Sequence, residues 1–97
     1  MSPEPLVELT LYVSARSAAS LRAQARIEKA LAEFDASRIR FEVLDVARAV
    51  RQAEEDRVVF TPTLVKRRPD PPAWFVGEAG GEMMAALLAS CGVERSR

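Results

Sequence analysis

The sequence predicts an α/β domain in the order β-α-β-α-β-β-α, with a four-stranded mixed sheet. Three observations carry this. Residues 7–13 alternate apolar and polar side chains. A helical stripe and a second alternating run follow, which makes a strand–helix–strand unit of about forty residues and predicts two parallel strands with a right-handed crossover. Two short β-prone runs then flank a proline-rich connection, and an apolar helical segment closes the chain.

Residues 1–5 read as a loose arm. Val7, Leu9, Leu11 and Val13 alternate with Glu8, Thr10 and Tyr12, the period of a strand. Ser14-Ala15-Arg16-Ser17 is a loop, and Ser17 is a suitable helix N-cap. Ala23, Ile27, Ala30, Leu31 and Phe34 then share one helical face, with Arg22, Arg26, Lys29 and Glu33 opposite. That charged stripe is a solvated face or a basic contact surface for an acidic partner. Ile39, Phe41 and Val43 alternate with Arg40 and Glu42, so a second strand runs to about Val46. Residues 47–56 read as a short helix, 63–68 as a strand and 74–76 as another. Pro69-Asp70-Pro71-Pro72 supplies a stiff hairpin connection. Gly77, Gly80 and Gly81 loosen the next loop. Met83, Met84, Leu87, Leu88 and Cys91 share a helical face, Gly92 is a C-terminal stop, and residues 93–97 are expected to fray.

Ninety-seven residues fit one domain, 1–97, with a core of about 6–92. Lys+Arg and Asp+Glu are both 14, so no basic surplus points to nucleic acid. No run reaches the roughly 18 apolar residues of a membrane span, and no signal-peptide pattern is present, so a cytoplasmic location is expected. One cysteine and no histidine exclude an internal disulfide and a Cys/His zinc site. Glu54, Glu55 and Asp56 are consecutive and diverge around a helix, and residues 77–81 lack the lysine of a phosphate-binding loop. No metal or cofactor is expected.

The stretch around Pro62 is the most specific. Ala53-Glu54-Glu55-Asp56, then Thr61-Pro62-Thr63-Leu64 and Lys66, resembles the KaiB family of circadian-clock proteins. The likeness extends through Leu11-Tyr12-Val13, Ser20-Leu21-Arg22-Ala23, Val43-Leu44-Asp45-Val46 and Gly77-Glu78, from about Leu9 to Leu88. It implies a thioredoxin-like fold, in which the Pro62 position is a candidate cis proline. It also implies a metamorphic family with an alternative ground-state arrangement of the C-terminal half. That state would show an extra strand after Val46 and helices over 58–64. Gly77 and Glu78 are the candidate switch joint.

The resemblance implies a non-enzymatic regulator that binds a KaiC-type ring ATPase and competes with other partners in a clock, timer or stress pathway, as a homo-oligomer in one state. The alternatives are an adaptor or sensor module docking on a histidine kinase, and a thiol-binding thioredoxin-like protein. Redox chemistry needs a thiol at the N-terminus of the first helix, where the dipole would lower its pKa. The loop there holds Ser14 and Ser17 instead, and Cys91 sits at the end of the last helix. Arg22 and Lys66 fall where the family meets its ATPase, so both are candidate contacts. Arg40 and Glu42, two apart on an edge-like strand, could set partner choice by charge. Trp74 is either a core residue or an exposed anchor. Ala73 and Trp74 stand where the family has an arginine pair, and Glu42 where it has a lysine. These departures point to a divergent, non-cyanobacterial member.

Overall fold

The computed structural model describes residues 4–77 and 80–96. The elements are β1 (Val7–Val13), α1 (Ala18–Leu31), β2 (Ile39–Asp45), α2 (Val50–Glu55), β3 (Thr63–Arg68), β4 (Ala73–Val76) and α3 (Gly81–Ser90), with a 3₁₀ turn at Ala36–Arg38 before β2. The sheet order is β2-β1-β3-β4. β1 pairs parallel with β2 and antiparallel with β3, and β3 pairs antiparallel with β4. The expected mixed thioredoxin-like sheet is therefore present. Residues 58–62 lead into β3 as loop, and 47–49 form a turn, so the alternative arrangement is not the one seen.

The two faces of the sheet differ. On one, α1 and α3 bury Val7, Leu9, Leu11, Val13, Leu64, Ile27, Ala30, Met84 and Leu88 in one core. On the other, α2 covers only a small cluster of Tyr12, Ala53 and Val65, edged by Leu44, Val46 and Val58. β1 lies at the centre, and only Glu8 among its seven residues escapes full burial.

Local chemistry explains the boundaries. The Ser17 hydroxyl accepts from Ser20 N–H at 3.2 Å and caps α1. Asp45 Oδ1 accepts from Ala47 N–H at 2.9 Å, and this turn delays α2 to Val50, three residues later than the sequence pattern suggests. α3 ends in a Schellman motif: Val93 N–H donates to Leu88 O at 3.0 Å and Gly92 N–H to Ala89 O at 3.1 Å, with Gly92 at φ +82°. α2 ends in the same motif. Val58 N–H donates to Ala53 O and Arg57 N–H to Glu54 O, but the left-handed residue is Arg57, at φ +57°.

The tail departs from expectation. Val93 is buried, packing into the main core after the Schellman turn. Asp35 N–H donates to Glu94 O at 2.9 Å and Ser96 N–H to Glu33 O at 3.0 Å, bracketing a bridge between Phe34 and Arg95. The Arg95 guanidinium lies 4.9 Å from the Phe34 ring centroid. Residues 93–96 are thus tied to the end of α1 and do not fray.

Candidate partner-binding surface

The face that α2 leaves open carries two neighbouring features, one polar and one apolar. Strand parity builds both. Thr10 and Tyr12 on β1, Glu42 on β2, Val65 and Arg67 on β3, and Trp74 and Val76 on β4 all project to this side.

The polar feature centres on Asp56, the C-cap residue of α2. Its carboxylate accepts from the Tyr12 hydroxyl and from both terminal nitrogens of Arg67, with Nη1–Oδ1 at 3.0 Å. Arg67 Nε donates to Thr10 Oγ1 at 2.9 Å, and Thr10 in turn donates to Glu42 Oε1 at 3.1 Å. The backbone carbonyl of Asp56 accepts from Trp74 Nε1 at 2.8 Å. One residue thereby fastens α2 to three strands.

The electrostatics follow from this packing. Burial pushes the Tyr12 phenol up to about 12, helped by the adjacent Asp56 carboxylate and opposed by Arg67. Burial also works against ionised Asp56, but the hydrogen bonds from Arg67 and Tyr12 and the Arg67 charge outweigh it, holding the carboxyl below its ordinary range. The Asp56 hydrogen bond holds Arg67 above its usual value, against the cost of burial. The three groups satisfy one another, so they make a fastening and leave no group poised for acid–base work.

The apolar feature is a groove of about 390 Å³ lined by Arg57, Val58, Val59, Phe60, Thr63, Trp74 and Val76. Val59 is 79% exposed, Phe60 66%, Val76 65% and Trp74 47%. The Thr63 hydroxyl donates to Phe60 O at 2.6 Å and fixes the loop that presents Phe60. The Thr61–Pro62 peptide bond is cis, and Pro62 O accepts from Gly77 N–H at 2.8 Å.

The residues singled out in the sequence do not converge on one spot. Trp74 lies in the groove, half exposed, rather than in the core. Arg40 and Glu42 are exposed on the outer strand β2; Arg40 Nη1 pairs with Glu8 Oε1 at 3.4 Å. Arg22 is exposed on α1 beside Leu21, itself 57% exposed. Lys66, expected as a candidate contact, is 8% exposed, and Nζ donates to Pro69 O at 2.9 Å. Its ammonium is held by this chain's own backbone. Gly77 closes β4 at φ +92°, and Glu78 lies outside the described residues. Sequence reasoning missed Asp56, Arg67, Val59 and Phe60. The parity of Arg67 with Val65 and Tyr12 with Thr10 was the signal that could have joined them.

Among the described residues no group of three or more His, Cys, Asp or Glu could hold a metal ion, and no helix is long and apolar enough to cross a membrane.

Comparison with known proteins follows this geometry. The KaiB domain family matches residues 10–88. Circadian clock protein KaiB3 of Synechocystis sp. is 32% identical over 72 residues, covering 74% of this chain and 71% of that protein. Circadian clock oscillator protein KaiB of Prochlorococcus marinus is 32% identical over 78 residues, covering 80% of this chain and 68% of that protein. Among solved structures, the N-terminal domain of Synechococcus elongatus SasA superposes with a TM-score of 0.65 at 28% identity, covering 91% of this chain and 80% of that one. The germline-specific thioredoxin Deadhead of Drosophila melanogaster gives 0.74 at 15% identity, over 87% of this chain and 79% of that one, a likeness of fold alone.

Proposed function

The chain belongs to the KaiB family, and on that premise we propose that it is a non-enzymatic regulator in a circadian clock or a related timer or stress pathway. It docks on a KaiC-type ring ATPase and competes there with other partners. The observation that carries this reading is the family match across residues 10–88, joined to relatives that are themselves circadian clock oscillator proteins.

The local chemistry supports a binding role over a redox one. In the turn between β1 and α1, Ser14 and Ser17 occupy the place a catalytic thiol would need. The Ser17 hydroxyl caps the helix, and Ser20 Oγ accepts from Ser14 N–H at 3.0 Å. These hydroxyls start a helix and are not activated nucleophiles. Cys91 lies elsewhere, half-buried at the C-cap of α3.

The thioredoxin-like arrangement is the partner-competent state in this reading. Exchange with a second packing of the C-terminal half would pivot near Gly77, whose backbone already sits in the region that favours glycine. The likeness to the SasA N-terminal domain supports competition between two domains of one shape for one docking site. It also supports the second reading, an adaptor docking on a sensor histidine kinase.

The test is co-migration with the KaiC-type ATPase of the same source, followed over hours in ATP and in ADP. A nucleotide-dependent complex that weakens on Arg22→Glu is expected. A folded protein that forms no complex in either nucleotide would sink the ATPase reading. Capture of a histidine kinase under the same conditions would then favour the adaptor.

A further inference from the structure

Two cavities of about 390 Å³ lie against the sheet, and their chemistry differs. In the one lined by Glu8, Thr10, Arg40, Glu42 and Arg67 the polar groups answer one another. Arg40 pairs with Glu8, and Arg67 and Glu42 both bond to Thr10. In the groove beside Trp74 the walls are apolar, and one cation stands among them, Arg57. Its guanidinium has no ion pair or hydrogen bond among the described residues. The adjoining Asp56 carboxylate is taken by Tyr12 and Arg67, and no described acidic residue lines the groove.

The walls of this groove are held by the chain itself. The Trp74 indole is fixed by its bond to Asp56 O at 2.8 Å. The loop that carries Phe60 is fixed by the Thr63 hydroxyl on Phe60 O at 2.6 Å and by Gly77 N–H on Pro62 O at 2.8 Å. The backbone adds an independent sign. Arg57 sits at φ +57°, where a glycine would close the turn with less strain. Strain retained at a residue is found most often at sites of function. Here the side chain retained at that cost is the cation of the groove.

We propose that the groove binds a small aromatic carboxylate of one or two rings, with the rings against Trp74 and Phe60 and the carboxylate on the Arg57 guanidinium. Fixed apolar and aromatic walls with one directing polar group are the usual make-up of a small-molecule site. The volume lies at the small end of the roughly 300–1,000 Å³ of such sites, which suits a metabolite-sized ligand. Aromatic faces take a second ring in offset or edge-to-face packing. A guanidinium takes a carboxylate through two parallel N–H bonds, so it selects the anion over a neutral molecule of the same shape.

Titration of the isotope-labelled chain with 2-naphthoate, followed by amide NMR, tests the proposal. Additions run to about 5 mM, the range suited to a ligand of about a dozen heavy atoms. Trp74 is the single tryptophan, so its indole N–H gives one signal inside the groove. That signal and the amides of Val59, Phe60 and Val76 should shift and saturate together. The neutral 2-naphthamide should bind about threefold to tenfold more weakly. Arg57→Gln should make the two ligands equal, Phe60→Ala should weaken both alike, and Arg40→Gln, on the far strand, should change neither. Circular dichroism checks that each variant is folded; if Arg57→Gln is not, Arg57→Gly, which the turn favours, decides. No saturable shift by about 5 mM would overturn the proposal, as would shifts spread over the whole sheet. An amide that binds as well as the acid, or a preference for the acid that survives Arg57→Gln, would overturn it as well. An acidic aromatic peptide, acetyl-Asp-Phe-Asp-amide, that bound more tightly than 2-naphthoate would give the groove to a protein partner and so overturn it too. None of these measurements involves the ring ATPase, so this site and the regulator reading fail separately.

Discussion

Replacing Arg67 by methionine isolates the fastening between α2 and the sheet. Methionine keeps an apolar stem of similar reach and removes all five donors. Asp56 then keeps the Tyr12 hydroxyl alone, with its side chain only 14% exposed. Exposed ion pairs contribute about 0–1 kcal/mol, whereas breaking a buried one costs about 3–5 kcal/mol. The Arg67 side chain is 32% exposed, so this pair lies between those limits. A loss of about 2 kcal/mol is expected, in the range for hydrogen bonds to charged groups. In a domain of this size that lowers Tm by about 8–16 °C. Urea and thermal unfolding of the wild type, Arg67→Met, Asp56→Asn and the double variant give the coupling directly, expected at about 1–2 kcal/mol. A pH series adds a second readout. Asp56 is more acidic in the folded state than in the unfolded one. Its contribution is therefore complete above the unfolded carboxyl range and is lost as pH falls through the folded pKa. The wild-type advantage over Arg67→Met should be full above about pH 5 and narrow below about pH 4. An additive cycle, or an advantage that stays constant into strong acid, would refute the reasoning.

Three further outcomes follow from features already described. Arg57 holds the left-handed position of a Schellman turn that favours glycine, so Arg57→Gly should stabilise by about 0.5–1 kcal/mol in urea unfolding; a net loss would mean the arginine side chain holds something at the groove. Tyr12 is the single tyrosine, so absorbance titration of the folded protein reads it alone and should show ionisation near pH 12, with stability falling as pH rises from about 10 to 12; ionisation near 10 in a folded sample would contradict its burial. Val93→Ala should cost about 1–2 kcal/mol, because the residue is 4% exposed in the main core; an unchanged melting curve would return the tail to the frayed state expected from sequence.

Much of the fold was legible because the strands announce themselves by period. The alternations of 7–13 and 39–45 set β1 and β2, and the stripe of Ala23, Ile27 and Ala30 set the buried face of α1. Loop chemistry hid the rest. The delay of α2 depends on one Asp45 side chain turning back to Ala47. The order of residues 93–96 depends on backbone bonds to the end of α1, a long-range pairing that Glu94-Arg95-Ser96 does not signal by composition. The candidate surface was only half legible. Trp74 stood out by rarity, but its neighbours Val59 and Phe60 look like ordinary apolar residues until a loop turns them outward. Lys66 stood out by its place in the family pattern, whereas strand parity sets it on the same face as Leu64, which is core.

The way Trp74 is held also gives the molecule an optical gauge of its own. It is the single tryptophan, and its indole N–H donates to the backbone carbonyl at the end of α2. That helix has six residues and buries one side chain, Ala53, the fewest of the three α-helices, so it is the helix with least packing to resist a local opening. When α2 lifts, the indole loses its acceptor and gains water while the core beneath α1 and α3 stays closed. Emission from Trp74 therefore follows the seating of α2, and circular dichroism follows the domain. The temperature gap between the two transitions, read from one sample, measures how independently the thinly covered face of the sheet can come undone.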